Sequence, residues 1–233
     1  MTDRFAILVR HGAYCQKPDT PSALQPYGLT DAGKMQAQEL GAEIADIARQ
    51  EGIRLAPEIL CSRQLRAWQT AALLGQSLGE VLGSDFTITE DEALAERSVG
   101  ALANLTLREI EQVIADDPRT APLPGDWKSN SHHRLPVQGA ESLMEAGQRV
   151  AAFLNQKMTD LDDEAGPGAR IFVGHGASIR HAAHCLGVLT FDQICQLSMH
   201  HARAVVLKLE RDGTWVHHRG DWKLRQPLET ATD

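Results

Sequence analysis

Long apolar stretches are missing from this chain. Its first hydrophobic run, Phe5 to Val9, has only five residues. That is too short for a signal-peptide core or a membrane span, so a cytoplasmic protein without a membrane partner is expected. Cysteine is scarce and unpatterned: Cys15, Cys61, Cys185 and Cys195 form no C-x-x-C pair. A disulfide framework and a structural zinc site are thereby disfavoured, and a reducing compartment is the simpler reading. Basic charge is short as well. Lys and Arg number 23 against 31 Asp and Glu, a net charge of -8. No broad basic face is expected, which argues against nucleic acid as a partner. Internal repeats, linkers and low-complexity tracts are also missing.

What the chain does have is material for one core. At 42% hydrophobic over 233 residues, a single α/β domain spanning 1–233 is expected rather than two separate cores. Phe5 to Val9, a short apolar run ending in polar residues, reads as a strand buried on both faces, Ile171 to Val173 as a second central strand, and Glu58 to Cys61 and Phe86 to Thr89 as further short strands. Between them lie helical patterns, from Thr30 as an N-cap to about Gln50, Leu65 to Leu78, Thr106 to Ala115, Glu141 to Met158, and Ala177 to about Leu186. Ala204 to Leu209 and Thr214 to His218 read as paired strands turning at Asp212-Gly213, and the tail after Arg225 as frayed. Residues 116–139, rich in Pro, Asp, Ser and His, read as a loop or cap insertion. The fold class is a three-layer α/β sandwich, its mostly parallel central sheet flanked by helices.

Two strand ends stand out. One apolar run ends in Arg10-His11-Gly12, another in Gly174-His175-Gly176. In open α/β sheets ligands bind beyond the carboxyl ends of the strands. If these two strands are neighbours, both imidazoles face one pocket. Such a pocket suits a phosphoryl group: arginine grips its oxygens with fixed, charged, bidentate donors, and a helix opening at Gly176 adds backbone N–H groups. A neutral imidazole can serve as nucleophile and split one hard displacement into two easier ones. Arg66, in the first turn of the helix after the second strand, could point back at the same pocket.

These residues carry a resemblance. Leu8-Val9-Arg10-His11-Gly12, Leu29-Thr30-Asp31-Ala32-Gly33 with Gln36 and Ala37, Ser62 through Ala71, Leu94-Ala95-Glu96 with Gly100, Gly139-Ala140-Glu141-Ser142 and Gly174-His175-Gly176 stand in the order of the motifs of the histidine phosphatase superfamily, the phosphoglycerate mutase-like proteins. The resemblance extends from about Phe5 to Leu186. It implies His11 as the phosphorylated nucleophile, Arg10, Arg66 and His175 as holders of the phosphoryl oxygens, and Glu96 as the acid that protonates the leaving oxygen and then helps activate water. It implies no metal and no cofactor. The implied substrate is a small phosphorylated compound or a phosphoprotein, and the implied reaction is hydrolysis of a phosphate monoester. Two alternatives stand beside it: a phosphoglycerate-type mutase, and a catalytically weak phosphoryl-binding regulatory module. The mutases' Glu-Ser-x-Trp-Asn stretch after R-H-G is replaced here by Ala13-Tyr14-Cys15-Gln16, which favours the phosphatase.

Several residues have competing readings. Glu90, Asp91 and Glu92 rival Glu96 for the acid. His132-His133, His181, His184, His200-His201 and His217-His218 raise a metal site, but none stands at a familiar ligand spacing with Glu or Cys. Cys15 is either a pocket residue or an inert one. Trp127 belongs either to a substrate lid or to a mobile surface loop.

Overall fold

The structure, a computed structural model, describes residues 3–161 and 166–225. Its main sheet has six strands in the order β3-β2-β4-β1-β6-β7. These are β1 (Arg4–Arg10), β2 (Arg54–Ser62), β3 (Thr87–Asp91), β4 (Gly168–Gly174), β6 (Ala204–Leu209) and β7 (Trp215–Arg219). The strands β3, β2, β4 and β1 run parallel, while β6 is antiparallel to β1 and β7 to β6. Helices α1 (Asp31–Glu51), α2 (Leu65–Leu82), α4 (Leu143–Thr159) and α5 (Gly176–Cys185) cover the two faces.

The unbroken apolar run of β1 reflects this double cover. Phe5, Ile7 and Val9 pack with Leu40 and Ile44 of α1 and Leu74 and Leu78 of α2. Ala6 and Leu8, pointing the other way, pack with Val150 and Leu154 of α4 and Ile179 of α5. Side chains alternate across a strand, so a strand sandwiched between helices has no polar face to show. The α1 helix begins at Thr30, whose hydroxyl accepts from the Gly33 amide, and stops at Gly52, held at φ 63°.

A third cluster sits away from the sheet. Val99, Leu102, Ile110 and Ile114 of the stretch through α3 (Leu107–Asp116) pack on Trp127, Leu135 and Ala140, with Ala23 reaching in from the segment after β1. Residues 117–142 form no helix or strand, yet Trp127 is buried and donates its Nε1–H to Glu111 at 3.1 Å. Trp127 is thus the anchor of a small core rather than an exposed loop residue.

Three elements carried no legible pattern. They are α6 (Phe191–Gln196) and the two-residue strands β5 (Leu197–Ser198) and β8 (Lys223–Leu224), which pair with each other. A fragment of two to six residues is too short for a period to register. The tail after Arg225 lies outside the described residues. Among the described residues no helix is long and apolar enough to cross a membrane.

Candidate active site

Strand register brings the two histidines together. β1 and β4 pair so that Arg10 stands opposite Gly174, and the His11 amide donates to the Gly174 carbonyl at 3.0 Å. The next residue on each strand is then an imidazole at the same edge, and the His11 and His175 ring centroids are 5.1 Å apart. β2 ends level with them, placing Ser62 beside His175, Nε2 to Oγ 2.9 Å.

Close approach explains the glycines. A Cβ on Gly12 would lie 2.5 Å from the Gly33 carbonyl oxygen, and one on Gly33 would lie 1.9 Å from that of Ala13. The chain leaving β1 therefore crosses the first turn of α1 in contact with its backbone. The contact is tied by the Thr30 amide to Ala13 O at 3.0 Å, the Ala13 amide to Gln36 Oε1 at 3.0 Å, and the Gly12 amide to Thr70 Oγ1 at 3.0 Å. This is what the Leu29–Gly33 and Gln36 block does physically.

Arg66 lies at the centre and is fully buried. Its Nε–H donates to His11 Nε2 at 3.2 Å, and its Nη2 meets His175 Nδ1 at 3.2 Å. A guanidinium only donates, so both ring nitrogens accept. The tautomers follow. His11 Nδ1 carries its proton, given to the Gly12 carbonyl at 2.8 Å, and Nε2 holds the lone pair. His175 carries its proton on Nε2, facing Ser62. Burial first, then the charge of Arg66, holds both imidazoles well below the ordinary histidine range, so both are neutral at physiological pH. The other Arg66 protons reach carbonyls of the segment after β1: Ser22 at 2.9 Å, Ala23 at 3.1 Å and Gln25 at 3.0 Å. Tyr14 lies under the guanidinium, 4.6 Å from its carbon to the ring centroid, and edge-on to His11. Residues 13–28 thus form a cage around Arg66.

Arg10, also buried, donates to the Met199 carbonyl at 3.1 Å. Glu96 is the one buried acid in its stretch, with Glu90 and Glu92 exposed and Asp91 half-buried. Its oxygens accept from the amides of Ala177 at 3.3 Å, Ser178 at 3.1 Å and Arg97 at 2.8 Å, which seats the carboxylate on the N-terminus of α5 next to His175. The loop behind it is held by Arg149. This guanidinium donates to the carbonyls of Ala93 at 2.8 Å and Ala95 at 3.1 Å and makes a double contact with Glu141 at 2.9 and 2.8 Å. Glu96, Ser62, Leu24 and Gln64 line a cavity of about 560 Å³ that opens outward from the site.

All five residues singled out in the sequence meet here, and others join them. His201 is the main addition: its Nδ1 donates to the His11 carbonyl at 2.8 Å, and its ring lies 5.4 Å from that of His11. It reaches the site because β6 runs antiparallel beside β1, so the residues before β6 lie over the end of β1. Nothing in the local sequence encodes that. Cys15 is exposed. Among the described residues no group of three His, Cys, Asp or Glu is placed to hold a metal ion.

Known proteins share this fold. A structure titled "Mycobacterial hydrolase 1" is similar at 20% identity and TM-score 0.67, covering 93% of this chain and 97% of that one. A mycobacterial glucosyl-3-phosphoglycerate phosphatase is similar at 20% identity and TM-score 0.64, over 96% of this chain and 100% of that one. A phosphoglycerate mutase from Bacillus anthracis reaches TM-score 0.70 at 16% identity, over 94% and 93%. At such identities the likeness carries the fold alone. No curated protein matches the sequence. The sequence profile of the histidine phosphatase superfamily (branch 1) matches residues 6–221, and a match of that length settles the family: the chain belongs to the histidine phosphatase superfamily, branch 1.

Proposed function

We propose that the protein is a phosphatase that hydrolyses a phosphate monoester through a covalent phosphohistidine on His11. The observation that carries this reading is the lone pair on His11 Nε2, held by a buried arginine in a pocket with a second neutral imidazole and a second arginine. In the first step Nε2 attacks phosphorus, the bond from phosphorus to the ester oxygen breaks, and Glu96 gives a proton to the departing oxygen. In the second, water attacks phosphorus, the bond to Nε2 breaks, and Glu96 takes a proton from the water. The sum is ester plus water to alcohol plus inorganic phosphate. Arg10, Arg66 and His175 spread the charge of the three equatorial oxygens in both steps. Substrate must displace the Ser22, Ala23 and Gln25 carbonyls from Arg66, so segment 13–28 moves as phosphate enters. A small phosphorylated metabolite is favoured over a phosphoprotein, because the similar mycobacterial enzyme is a glucosyl-3-phosphoglycerate phosphatase.

The test is a trap. Quenching in alkaline detergent during turnover of a ³²P-labelled ester is expected to leave label on the peptide containing His11, stable in base and lost in acid. Label on serine or cysteine, or none, refutes the proposal. A mutase shares this intermediate but returns the phosphoryl group to the substrate. Assaying the same esters for released phosphate and for isomerised product separates the two, and release alone is expected. Because the cationic side chains do the electrostatic work, turnover is also expected to persist in a strong chelator. Loss on chelation that a divalent ion restores would contradict the mechanism.

A further inference from the structure

A second cluster of positive charge lies outside the site just described. Lys128, Arg180 and Arg225 line a cavity of about 450 Å³, walled by Phe191 and Ile194 of α6. In a chain of net charge -8, three cations around one hollow call for a counter-charge. None of the three forms an ion pair among the described residues. The one carboxylate in the lining, Asp126, accepts from Asn130 Nδ2 at 3.2 Å. Lys128 lies 5.8 Å over the Trp127 ring.

Arg180 is the telling member. It is only 5% exposed, yet its guanidinium makes one short hydrogen bond, Nη1 to the Leu197 carbonyl at 2.6 Å, while its buried Nε has no partner among the described residues. A buried guanidinium without a carboxylate is costly and persists where an anion completes it. Burial and the nearby Arg225 push its pKa down to about 10, the mark of a cation crowded by another. Arg180 sits one helical turn beyond Gly176, about 6 Å along α5, and its charge is felt by both Glu96 and Arg10.

We propose that this cavity is a second binding site, for the carboxylate or phosphate group of a small organic anion whose apolar part rests on Phe191 and Ile194. Its volume suits a small molecule. The same chemistry has two sources: a second anionic arm of the substrate itself, or a separate anionic effector. The experiment uses inorganic sulfate as probe and amide NMR shifts as a local readout, so it stands apart from the phosphatase chemistry. Saturable shifts at residues 129–131 and 194–196 are expected in the wild-type protein. In the Lys128→Ala/Arg225→Ala double variant the affinity at these amides should fall about tenfold or more, with shifts near residues 63–66 as in wild type. No saturable shift at the cavity, or an unchanged affinity in the variant, overturns the proposal, and each single substitution repeats the test should the double variant fold poorly. The source is read from KM. A rise for 4-(carboxymethyl)phenyl phosphate but not for phenyl phosphate assigns the site to the substrate's second anion. No rise for either, with sulfate binding lost, assigns it to an effector.

Discussion

Glu96→Gln is expected to cut turnover of an alkyl phosphate about 10²- to 10⁴-fold while leaving 4-nitrophenyl phosphate hydrolysis nearly unchanged in its first step. An alkoxide leaves poorly unless it is protonated as it departs, whereas nitrophenolate needs almost no help. The substitution also carries a structural cost that must be told apart from the chemical one. Both carboxylate oxygens of Glu96 accept backbone N–H groups, Oε1 from Arg97 and Ser178 and Oε2 from Ala177. Glutamine offers one oxygen, so one amide loses its acceptor, at a cost of about 1–3 kcal/mol. That loss lowers stability and shifts the 93–98 loop for every substrate alike. Only the loss of a proton donor discriminates between leaving groups. The measurement is therefore the ratio of single-turnover rates for the two esters in wild type and variant. A ratio that does not change removes Glu96 from the role of acid and leaves it as a cap on α5.

Much of this site was legible because its residues are chained to local patterns. His11 and His175 each follow a short apolar run, and the run itself said that the strand was buried on both faces. Arg66 follows a strand and opens a helix. Their meeting depended on one fact the sequence carries only indirectly, that β4 inserts beside β1, pairing Arg10 with Gly174. Where the topology had no local signature, the sequence was silent. His201 enters the site through the antiparallel return of β6, and as one of two adjacent histidines it suggested a metal as readily as a catalytic neighbour. The 13–28 segment, with Pro18, Pro21 and Pro26, shows no helical or strand period. Its order comes from carbonyls that close on Arg66 and from Gln25, whose side chain bonds the Lys17 amide and the Thr20 and Pro21 carbonyls. Backbone carbonyls have no sequence signature at all. Trp127 read as a lid or loop residue for a related reason: its partners come from separate stretches between Ala23 and Ala140, of which only the Ile110 and Ile114 pair on α3 follows a helical period.

Acid should unfold this protein steeply, well above the range where carboxylates titrate. Three histidines are buried neutral: His11, His175 and His181, each no more than 1% exposed. Burial is the largest cause in all three, and it lowers the pKa of each, His181 to about 3. The His181 ring is fixed on both sides, Nδ1 to the Ala177 carbonyl at 2.8 Å and Nε2 to Ser131 Oγ at 3.0 Å. In the unfolded chain these imidazoles titrate near 6.5. Above that pH neither state binds the proton and the full stability is present. As pH falls below it, the unfolded state takes up protons that the folded state refuses, and stability is lost until the folded pKa is reached. Each histidine contributes a slope of up to about 1.4 kcal/mol per pH unit, so the three together approach about 4 kcal/mol per unit. Set against a typical total of roughly 5–15 kcal/mol, a drop from pH 6.5 to 5 is a large fraction of the whole. The carboxylates held below their usual range, Asp31, Glu109, Asp117, Glu145 and Asp212, are exposed or half-buried at the surface and lose their contribution only at lower pH, so the window from 6.5 to 5 belongs to the histidines. Urea unfolding at half-unit steps across that window should give an uptake rising from about 1.5 protons at pH 6.5 to nearly three at pH 5, and from about one to nearly two in His181→Gln. An uptake below one proton would mean that the imidazoles are not buried neutral. It would then also remove the ground for an unprotonated Nε2 on His11, since the same exclusion of the proton keeps that nitrogen able to attack.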